Sequence, residues 1–336
     1  MLKVTVLGAG SIGCYVAGCL LANQTRRCKL TLIGRQRIEH AIEQHGLRVT
    51  DWQGRNQLVT ATNISISTQP DAMSEADVIL LCVKSQDTET AADLIKQWAK
   101  PSSIVVSLQN GVSNVGLLRQ LLSNHIVPGM VPFNVFYKGE GHFHCGTEGN
   151  IAVEDPSGLC NPLIQIFEEA SLPVAVYDNL LPVQYGKLIM NLNNAVNALS
   201  GIPLKQQLSA RDYRLVTAKV LAEALSVLNA EGIKPARTGK VIPKLMPTIM
   251  KLPNAVFQLV AASTLKIDPE ARSSMFEDLA LGRKTEIDFL NGEIVRLGRK
   301  NNISTPVNDH IVLLIKQSES SQKGSPCLPA EHLLPA

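Results

Sequence analysis

The fold is decided by the stretch Val4-Thr5-Val6-Leu7-Gly8-Ala9-Gly10-Ser11-Ile12-Gly13, in which an apolar, β-favouring run leads directly into the spacing G-x-G-x-x-G and then an apolar helix. In this context the first glycine turns the chain where a Cβ atom would clash. The second lets the backbone approach a pyrophosphate, and the third lets the helix pack closely on the strand. Phosphate oxygens bind the free N–H groups at such a helix N-terminus. The stretch therefore predicts a dinucleotide-binding turn with coenzyme contacts at Gly8, Ala9, Gly10, Ser11, Ile12 and Gly13.

Length and composition limit the classes of protein to consider. At 336 residues the chain exceeds the usual size of one hydrophobic core, so we expect two domains. Hydrophobic residues make up 45% of the chain and charged residues 18%, as in an ordinary globular protein. A net charge of +3 is too small for the clustered basic surface that binds nucleic acid. We expect no nucleic-acid partner, and a small anionic ligand is compatible with this charge.

Residues 4–22 carry no charge and resemble a membrane span or signal sequence in a hydropathy window. Glycines at the fingerprint spacing, with Lys3 in front, favour a strand, turn and helix instead. Because no other segment approaches membrane length, we expect no membrane partner.

The cysteines contain no C-x-x-C pair and form no zinc-like cluster with histidine. This usage is typical of reduced thiols in the cytoplasm, which is the location we expect. His142, His144 and Cys145 lie close together in sequence, but without an acidic ligand or a second cysteine pair we interpret them as structural. We expect no metal.

The end of the second predicted strand, residues 29–33, is where this type of domain contacts the adenosine ribose. NAD-binding domains usually place Asp or Glu there, about 20 residues after the glycines. This chain has Gly34-Arg35-Gln36-Arg37 instead. Because a guanidinium can hold phosphate through a planar pair of hydrogen bonds, the sequence favours the 2′-phosphate of NADP, with Arg35 as the first candidate and Arg37 as the second. The alternative is a solvated arginine at a strand end.

Two further apolar runs, residues 76–83 and 103–108, predict strands that are covered on both faces. Residues 47–66 between them and the second strand predict an inserted hairpin, and residues 89–99 predict a helix. The two strands end at Lys84 and Asn110. Since ligands bind at the carboxyl ends of parallel strands, we expect both residues near the nicotinamide and the substrate. Each alone could also be a cap or turn residue.

The remaining pattern predicts an α/β domain with a Rossmann-type parallel sheet over residues 1–179 and an all-helical domain over 180–317. Strands in residues 127–153 and a helix over 161–170 complete the first domain.

In the second domain, residues 184–200 predict one helix, and Ser209-x-x-Asp212 and Thr285-x-x-Asp288 predict capping boxes. Ile287, Leu290, Ile294 and Leu297 then form one apolar stripe. Residues 318–336 are rich in Ser, Gly, Pro and Lys, so we expect a disordered tail whose removal after Glu319 leaves the fold intact.

Lys187 is the one charged residue in the run 180–204. On a continuous helix Asn191 lies about 40° from it and Asn194 about 20° to the other side. A polar stripe on an apolar helix is either paired or lines a water-filled cleft. A nicotinamide domain needs a proton donor opposite its hydride, and a partly desolvated lysine has a lowered pKa suited to that role.

Glu286 lies in the first turn predicted after Thr285, where the helix dipole favours its carboxylate. Most glutamates at such a position only cap the helix. Gly282 predicts a break in the preceding helix, so Ser274 and Glu286 lie on separate elements and converge only in three dimensions.

These motifs together resemble the ketopantoate reductase family, over about residues 3–319. The resemblance rests on G-A-G-S-I-G, Val83-Lys84, Gln109-Asn110-Gly111, Gly186-Lys187-Leu188 with Asn191, and Ser273-Ser274-Met275 followed by T-E-I-D-x-x-N-G. It implies NADPH-dependent reduction of ketopantoate to pantoate. It also implies roles: Lys187 as general acid, Glu286 as a substrate-binding partner, Ser274 and Asn110 as ligand contacts, and Lys84 near the nicotinamide.

One position departs from the family pattern. A second substrate-contacting asparagine tends to lie eight residues after the lysine, where this chain has Ala195. The helical-wheel angles favour Asn194 as its replacement, whereas a small insertion would select Asn197. This leaves open which 2-oxo acid is the substrate.

Two other functions remain open at this stage. One is a paralogous reductase or dehydrogenase of another 2-oxo or 3-hydroxy acid. The other, from a different class, is a regulatory protein that senses NADP without turnover, although pure binding needs neither Lys187 nor Glu286. The expected partner is a small 2-oxo acid, and the sequence leaves a homodimer open.

Overall fold

The computed structural model describes residues 1–23, 27–239, 241–261 and 270–335. Its internal contacts divide the chain into two units, Met1–Leu180 and Leu181–Ala336, against an expected boundary between residues 179 and 180. The first unit is a mixed α/β unit and the second is helical. The predicted fold class is therefore confirmed.

The first unit contains twelve strands within the described residues. They are β1 (Leu2–Leu7), β2 (Cys28–Ile33), β3 (Leu47–Asp51), β4 (Asn56–Val59), β5 (Ser65–Ser67), β6 (Val78–Leu81), β7 (Ile104–Ser107), β8 (His125–Met130), β9 (Val135–Tyr137), β10 (His142–Cys145), β11 (Ile151–Glu154) and β12 (Val174–Tyr177).

Eight of these strands form the main sheet, in the order β12-β11-β8-β7-β6-β1-β2-β5. All neighbouring pairs are parallel except β11 with β8. The six strands from β5 to β8 have the doubly wound order of a dinucleotide-binding sheet, whose strand order reverses beside β1. The carboxyl ends of β1, β2, β6 and β7 therefore lie along one edge.

The predicted hairpin in residues 47–66 is present as the antiparallel pair β3 and β4, although β5 begins within that range and joins the main sheet. A second sheet has the order β4-β3-β10-β9, in which β10 pairs with β3 in parallel. The hairpin and two of the later strands thus form one separate layer.

Where the first unit is described, five α-helices accompany its strands: α1 (Ser11–Ala22), α2 (Gln36–His45), α3 (Thr88–Trp98), α4 (Asn114–Leu121) and α5 (Asn161–Glu169). Along β6, Val78 and Leu80 belong to one buried apolar cluster, and Ile79 and Leu81 belong to another. Because successive side chains of a strand point to opposite faces, an uninterrupted apolar run places side chains in both clusters.

The second unit contains nine α-helices within the described residues: α6 (Leu181–Asn191), α7 (Asn193–Ser200), α8 (Leu204–Ser209), α9 (Arg211–Ala230), α10 (Met246–Lys251), α11 (Asn254–Ala261), α12 (Ser274–Ala280), α13 (Asn291–Lys300) and α14 (Pro306–Ser321). Its described β-structure is one isolated bridge between Thr238 and Val241.

Residues 184–200 were predicted as one helix, and the structure has two, α6 and α7, that meet at Leu192. The Leu192 backbone stays helical, with φ −60° and ψ −27°, and its amide donates to the Leu188 carbonyl at 3.1 Å, so the break is confined to one residue. The predicted end of the run is confirmed, since α7 stops before Gly201, which has a φ angle of 70°.

Both predicted capping boxes were wrong. Ser209 ends α8, and its hydroxyl donates to the Lys205 carbonyl at 2.8 Å. The N-cap residue of α9 is Ala210, so Ser209 lies one residue too early to cap that helix. Thr285 precedes a short 3-10 helix, Ile287–Phe289, and α13 begins only after Leu290. The four residues of the predicted apolar stripe are nevertheless all buried.

The C-terminal segment was predicted to be disordered, whereas its described residues pack on the second unit. After α14 the chain forms a 3-10 helix, Ala330–Leu333, in which Leu333 is fully buried. The Leu328 amide donates to the Leu199 carbonyl at 2.9 Å, and the Tyr213 hydroxyl donates to the Leu328 carbonyl at 2.8 Å. A segment of polar composition can thus pack on the helical unit when one apolar side chain is buried there and a few backbone groups are hydrogen-bonded.

We therefore expect the segment to contribute to stability, in contrast to the expectation from composition. Leu333→Ala should lower the free energy of unfolding by about 2–5 kcal/mol, since it removes a buried leucine side chain. Leu313→Ala is the matched control because Leu313 is 52% exposed on α14. Urea unfolding of both variants measures the difference. A chain truncated after Gln322 that melts at the native temperature would contradict the docking.

Candidate active site

The glycine turn after β1 has little room except at its second glycine. Gly8 has a φ angle of +105°, and a Cβ there would lie 2.6 Å from the Val83 nitrogen. A Cβ at Gly13 would overlap the Gly8 carbonyl oxygen. A Cβ at Gly10 would instead point into open space, with no atom of the described residues within 4 Å. The two outer glycines are needed for packing, and the middle one leaves its backbone accessible to a ligand.

Gly10 is also the N-cap residue of α1. In the described structure this helix has no side-chain cap and no acidic residue in its first turn. The first N–H groups of a helix lack intrahelical acceptors, and the helix dipole makes this end electropositive. An exposed glycine beside such N–H groups fits the pyrophosphate of a dinucleotide.

Arg35 follows β2 at the same edge and is the N-cap residue of α2. The amides of Gly8 and Ala9 donate to the Ile33 carbonyl at 3.0 and 2.9 Å, which joins the glycine turn to the end of β2. The Arg35 side chain is 77% exposed, and its Nη2 lies 3.9 Å from Asp87 Oδ2. Arg37, the second candidate, is exposed in the first turn of α2. Arg35 is thus accessible beside the turn.

Lys84 and Asn110 lie on two loops that are joined by buried polar side chains. Lys84 precedes a short 3-10 helix, Ser85–Asp87. The Ser85 hydroxyl donates to the Asn110 carbonyl at 2.7 Å. The Asn114 amide donates to the same carbonyl at 2.6 Å and to Ser85 Oγ at 3.1 Å. These bonds fix the loop after β6 to the loop after β7.

Two more buried residues extend this network. Thr88 Oγ1 lies 2.7 Å from the Ser85 carbonyl and 3.2 Å from Asn114 Oδ1. The Gln109 amide donates to Thr88 Oγ1 at 2.9 Å. Ser85, Thr88, Gln109 and Asn114 are each at most 5% exposed. Lys84 and Asn110 themselves are only partly buried, so a rigid polar support holds two accessible positions.

Lys187 lies in α6 of the second unit and is partly buried. Removal from water lowers the pKa of its ammonium to about 8, and the nearby Glu286 carboxylate opposes part of that shift. The preceding residue, Gly186, packs so closely on the Ala236 carbonyl that a Cβ would overlap it. The glycine thus sets the packing of α6 beside the lysine.

The asparagines after Lys187 fall into two groups. Asn197 is fully buried, and its amide donates to the Ile202 carbonyl while its oxygen accepts from the Ser273 amide. Asn193 is paired with Gln207 and Thr217. Asn191 and Asn194 are partly exposed, and neither side chain hydrogen-bonds to another described residue. The structure therefore assigns Asn197 to the framework and leaves Asn191 and Asn194 accessible.

Ser274 is the exposed first residue of α12. Its neighbour Ser273 is the N-cap, whose Oγ accepts from the Phe276 amide at 3.2 Å. The Ser273 hydroxyl also donates to the Asn194 carbonyl at 3.0 Å. Ser273 therefore joins the segment of Ser274 to the helix of Asn194.

Glu286 is partly buried and directly precedes the 3-10 helix Ile287–Phe289. The sequence suggested that Glu286 lies in the first turn of an α-helix, but the structure does not place it in such a turn. Its position is set by Thr285, whose amide and hydroxyl both donate to Glu319 Oε1, at 2.8 and 2.6 Å. Glu319 of α14 thus anchors the loop that carries Glu286, which acts electrostatically on Lys187.

Comparisons with known proteins agree with this arrangement. A family model described as "Ketopantoate reductase PanE/ApbA" matches residues 4–158, and the model "Ketopantoate reductase PanE/ApbA C terminal" matches residues 179–319. The chain belongs to the ketopantoate reductase family. It is therefore an enzyme, an NAD(P)-dependent oxidoreductase, which excludes a sensor without turnover.

Individual relatives cover nearly the whole chain. A 2-dehydropantoate 2-reductase from Pyrococcus horikoshii is 28% identical over 331 residues, which is 96% of this chain and 100% of that protein. A PanE/ApbA family ketopantoate reductase from Ralstonia eutropha is 32% identical with a TM-score of 0.81, over 96% of this chain and 100% of that one. D-mandelate dehydrogenase with NADH and anilino(oxo)acetate has a TM-score of 0.76 at 21% identity, over 96% and 99%. This last likeness shows the fold alone.

In this ketopantoate reductase family member, sequence reasoning missed the polar support of the site. Ser85, Thr88, Asn114 and Glu319 belong to none of the motifs singled out in the sequence, and Gln109 was noted only as the neighbour of Asn110. Their roles depend on partners elsewhere in the sequence. The described residues contain no group of three or more His, Cys, Asp and Glu side chains suited to a metal ion. No helix in the described ranges is both long and apolar enough to cross a bilayer.

The buried network predicts a specific effect of Asn114→Ala. Loss of its amide removes the bonds to Ser85 Oγ and to the Asn110 carbonyl, and this weakens the link between the two loops. We expect the free energy of unfolding to fall by about 1–3 kcal/mol and coenzyme affinity to fall with it. Denaturant unfolding and a coenzyme titration measure both. Asn63→Ala, at an exposed asparagine, is the control. Coenzyme affinity that stays at the native value would show that the network serves stability alone.

Proposed function

We propose that this chain reduces 2-dehydropantoate to pantoate with NADPH. The observation that carries the proposal is the pair formed by Lys187 and Glu286 in the helical unit. Burial lowers the pKa of the Lys187 ammonium to about 8, and the Glu286 carboxylate opposes part of that shift by favouring the protonated form. A group with a pKa near the working pH is suited to give up a proton during reaction.

A nicotinamide coenzyme supplies hydride to the carbonyl carbon when bound. The role of Lys187 is to donate a proton to the carbonyl oxygen, where negative charge develops in the transition state. The Glu286 carboxylate favours the protonated lysine and accepts a hydrogen bond from the substrate hydroxyl. Asn191, Asn194 and Ser274 present accessible polar groups that bind and orient the substrate.

In the first unit, the residues fit the two ends of the coenzyme. The turn from Gly8 to Gly13 binds the pyrophosphate through backbone N–H groups, and the exposed Arg35 binds the 2′-phosphate of NADPH. Lys84 and Asn110, held by the buried network, contact the nicotinamide end, and Asn110 also contacts the substrate.

A second substrate is favoured by one observation. Ala195, where the family tends to have an asparagine, is fully buried and contributes no polar group. If Asn194 does not replace that asparagine, the site presents one amide fewer, which suits 2-oxo acids with fewer hydroxyl groups than ketopantoate. The alternative function is therefore the reduction of another 2-oxo acid by the same residues.

The experiment that decides between the two is an assay of NADPH oxidation with a panel of 2-oxo acids that vary in chain branching and in the hydroxyl group. The highest kcat/KM with ketopantoate supports the proposal. A kcat/KM at least as high with an unhydroxylated 2-oxo acid would instead favour the alternative.

The coenzyme assignment predicts that Arg35→Ala weakens NADPH binding much more than NADH binding. A charge-assisted bond to phosphate contributes about 1.5–3 kcal/mol, so the Kd for NADPH should rise by about tenfold or more. Isothermal titration with both coenzymes measures the change. Arg37→Ala is the matched comparison, and a larger loss of NADPH affinity in that variant would transfer the role to Arg37.

The proton-donor role predicts different kinetics for the two charged residues. Lys187→Ala should lower kcat by about a hundredfold or more with coenzyme affinity nearly unchanged. Glu286→Ala should raise KM strongly and can lower kcat as well. Lys219→Ala, at an exposed lysine of α9, is the control. If Lys187 were only structural, its loss would lower the melting temperature and leave kcat of the folded protein unchanged.

The same pair predicts the pH dependence of reduction. Because the donor must be protonated, kcat should fall as the pH rises through about 8, the lowered pKa of Lys187. Glu286 raises that pKa, so in Glu286→Gln the fall should move to lower pH. Measured pH profiles of kcat for both proteins test this. Superimposable alkaline limbs would disprove the coupling.

A further inference from the structure

Asp87 occupies a helix-capping position without capping the helix. It is the N-cap residue of α3, where an aspartate normally accepts a hydrogen bond from a backbone N–H two or three residues later. In the described structure its side chain makes no such bond. Its Oδ2 lies instead 3.9 Å from Nη2 of Arg35, which follows a different strand.

Stability does not account for this placement. The two side chains are 77% and 45% exposed, and a solvent-screened pair of this kind contributes little to folding. The loop after β6 holds Asp87 in place, since the neighbouring Ser85 and Thr88 belong to the buried polar network. A rigid support thus presents a carboxylate to an accessible arginine.

A carboxylate at this point has opposite effects on the two nicotinamide coenzymes. It neutralises part of the Arg35 charge and repels a 2′-phosphate, whose charge has the same sign. It also accepts a hydrogen bond from a 2′-hydroxyl, which is the role of the acidic residue in NAD-binding domains. In those domains the acid follows the second strand, whereas here it would come from the loop after β6.

We propose that Asp87 is a coenzyme-specificity residue that reduces the preference of this site for NADPH over NADH. The proposal rests on the proposed function, in which Arg35 binds the 2′-phosphate. Asp87 competes with that phosphate for the guanidinium and offers an acceptor to the hydroxyl that NADH has in its place.

The test is equilibrium binding of NADPH and NADH to the native protein and to Asp87→Asn, measured by isothermal titration without substrate. The ratio of the Kd for NADH to the Kd for NADPH should rise by about threefold to tenfold in the variant, the scale of one screened charge a few ångströms from a phosphate. The rise should shrink at high salt, because ions screen exposed charges. An unchanged ratio at low salt would overturn the proposal.

The matched control is Asp93→Asn, which removes an exposed carboxylate from the same helix α3. It should leave the ratio at the native value, and a rise equal to that of Asp87→Asn would show a general charge effect and overturn the proposal. Melting temperatures of both variants test for a hidden capping role. Adenosine 2′-monophosphate, used as a probe of the phosphate subsite alone, should bind Asp87→Asn more tightly than the native protein.

The variant Arg35→Ala distinguishes the proposed role of Asp87 from the proposed role of Arg35 as the ligand of the 2′-phosphate. If that variant binds NADPH as the native protein does, Arg35 is not the phosphate ligand and the coenzyme assignment fails. If it loses NADPH affinity while Asp87→Asn leaves the ratio unchanged, only the role of Asp87 fails. Neither result depends on which 2-oxo acid is reduced.

Discussion

The contact between Gly13 and the Gly8 carbonyl is the constraint on which the first unit depends. No side chain fits between them, so α1 starts directly above the end of β1. Because β1 is paired with β2 on one side and β6 on the other, this single approach brings the helix N-terminus to the edge where those strands also end. Arg35 follows β2 and Lys84 follows β6, so both lie at the same edge.

In each of the two units, buried polar residues hold the accessible polar residues in position. In the first unit, Ser85 and Asn114 hold the Asn110 carbonyl from two directions. In the second, Glu319 accepts two hydrogen bonds from Thr285 beside Glu286. A buried polar network that is fully bonded restricts its loops to one geometry, and this accuracy is what positioned groups need. The supporting residues are therefore as important for the site as the residues that they place.

The sequence predicted the elements whose signals are local. The order of β1, α1 and β2 follows from apolar runs and glycines, and Lys84 and Asn110 could be placed at strand ends by position alone. Where two local choices have similar energy, the prediction was wrong. Ser209 could be the N-cap of α9 or the last residue of α8, and sequence does not distinguish the two. The C-terminal segment required knowledge of its partners, since Leu333 is buried only because a complementary surface exists.

The case for Asn194 has a second basis besides the helical wheel. Its angular distance from Lys187 was calculated on one continuous helix, whereas the two residues lie in α6 and α7, which meet at Leu192 with a helical backbone. The second argument is that Asn193 and Asn197 have their amides committed to the framework and Ala195 has none. An amide that is partly exposed and bonded to no described residue is the one that a ligand can use. The proposed substrate contact at this helix therefore rests on elimination among neighbours, and the fully buried Ala195 offers no polar group.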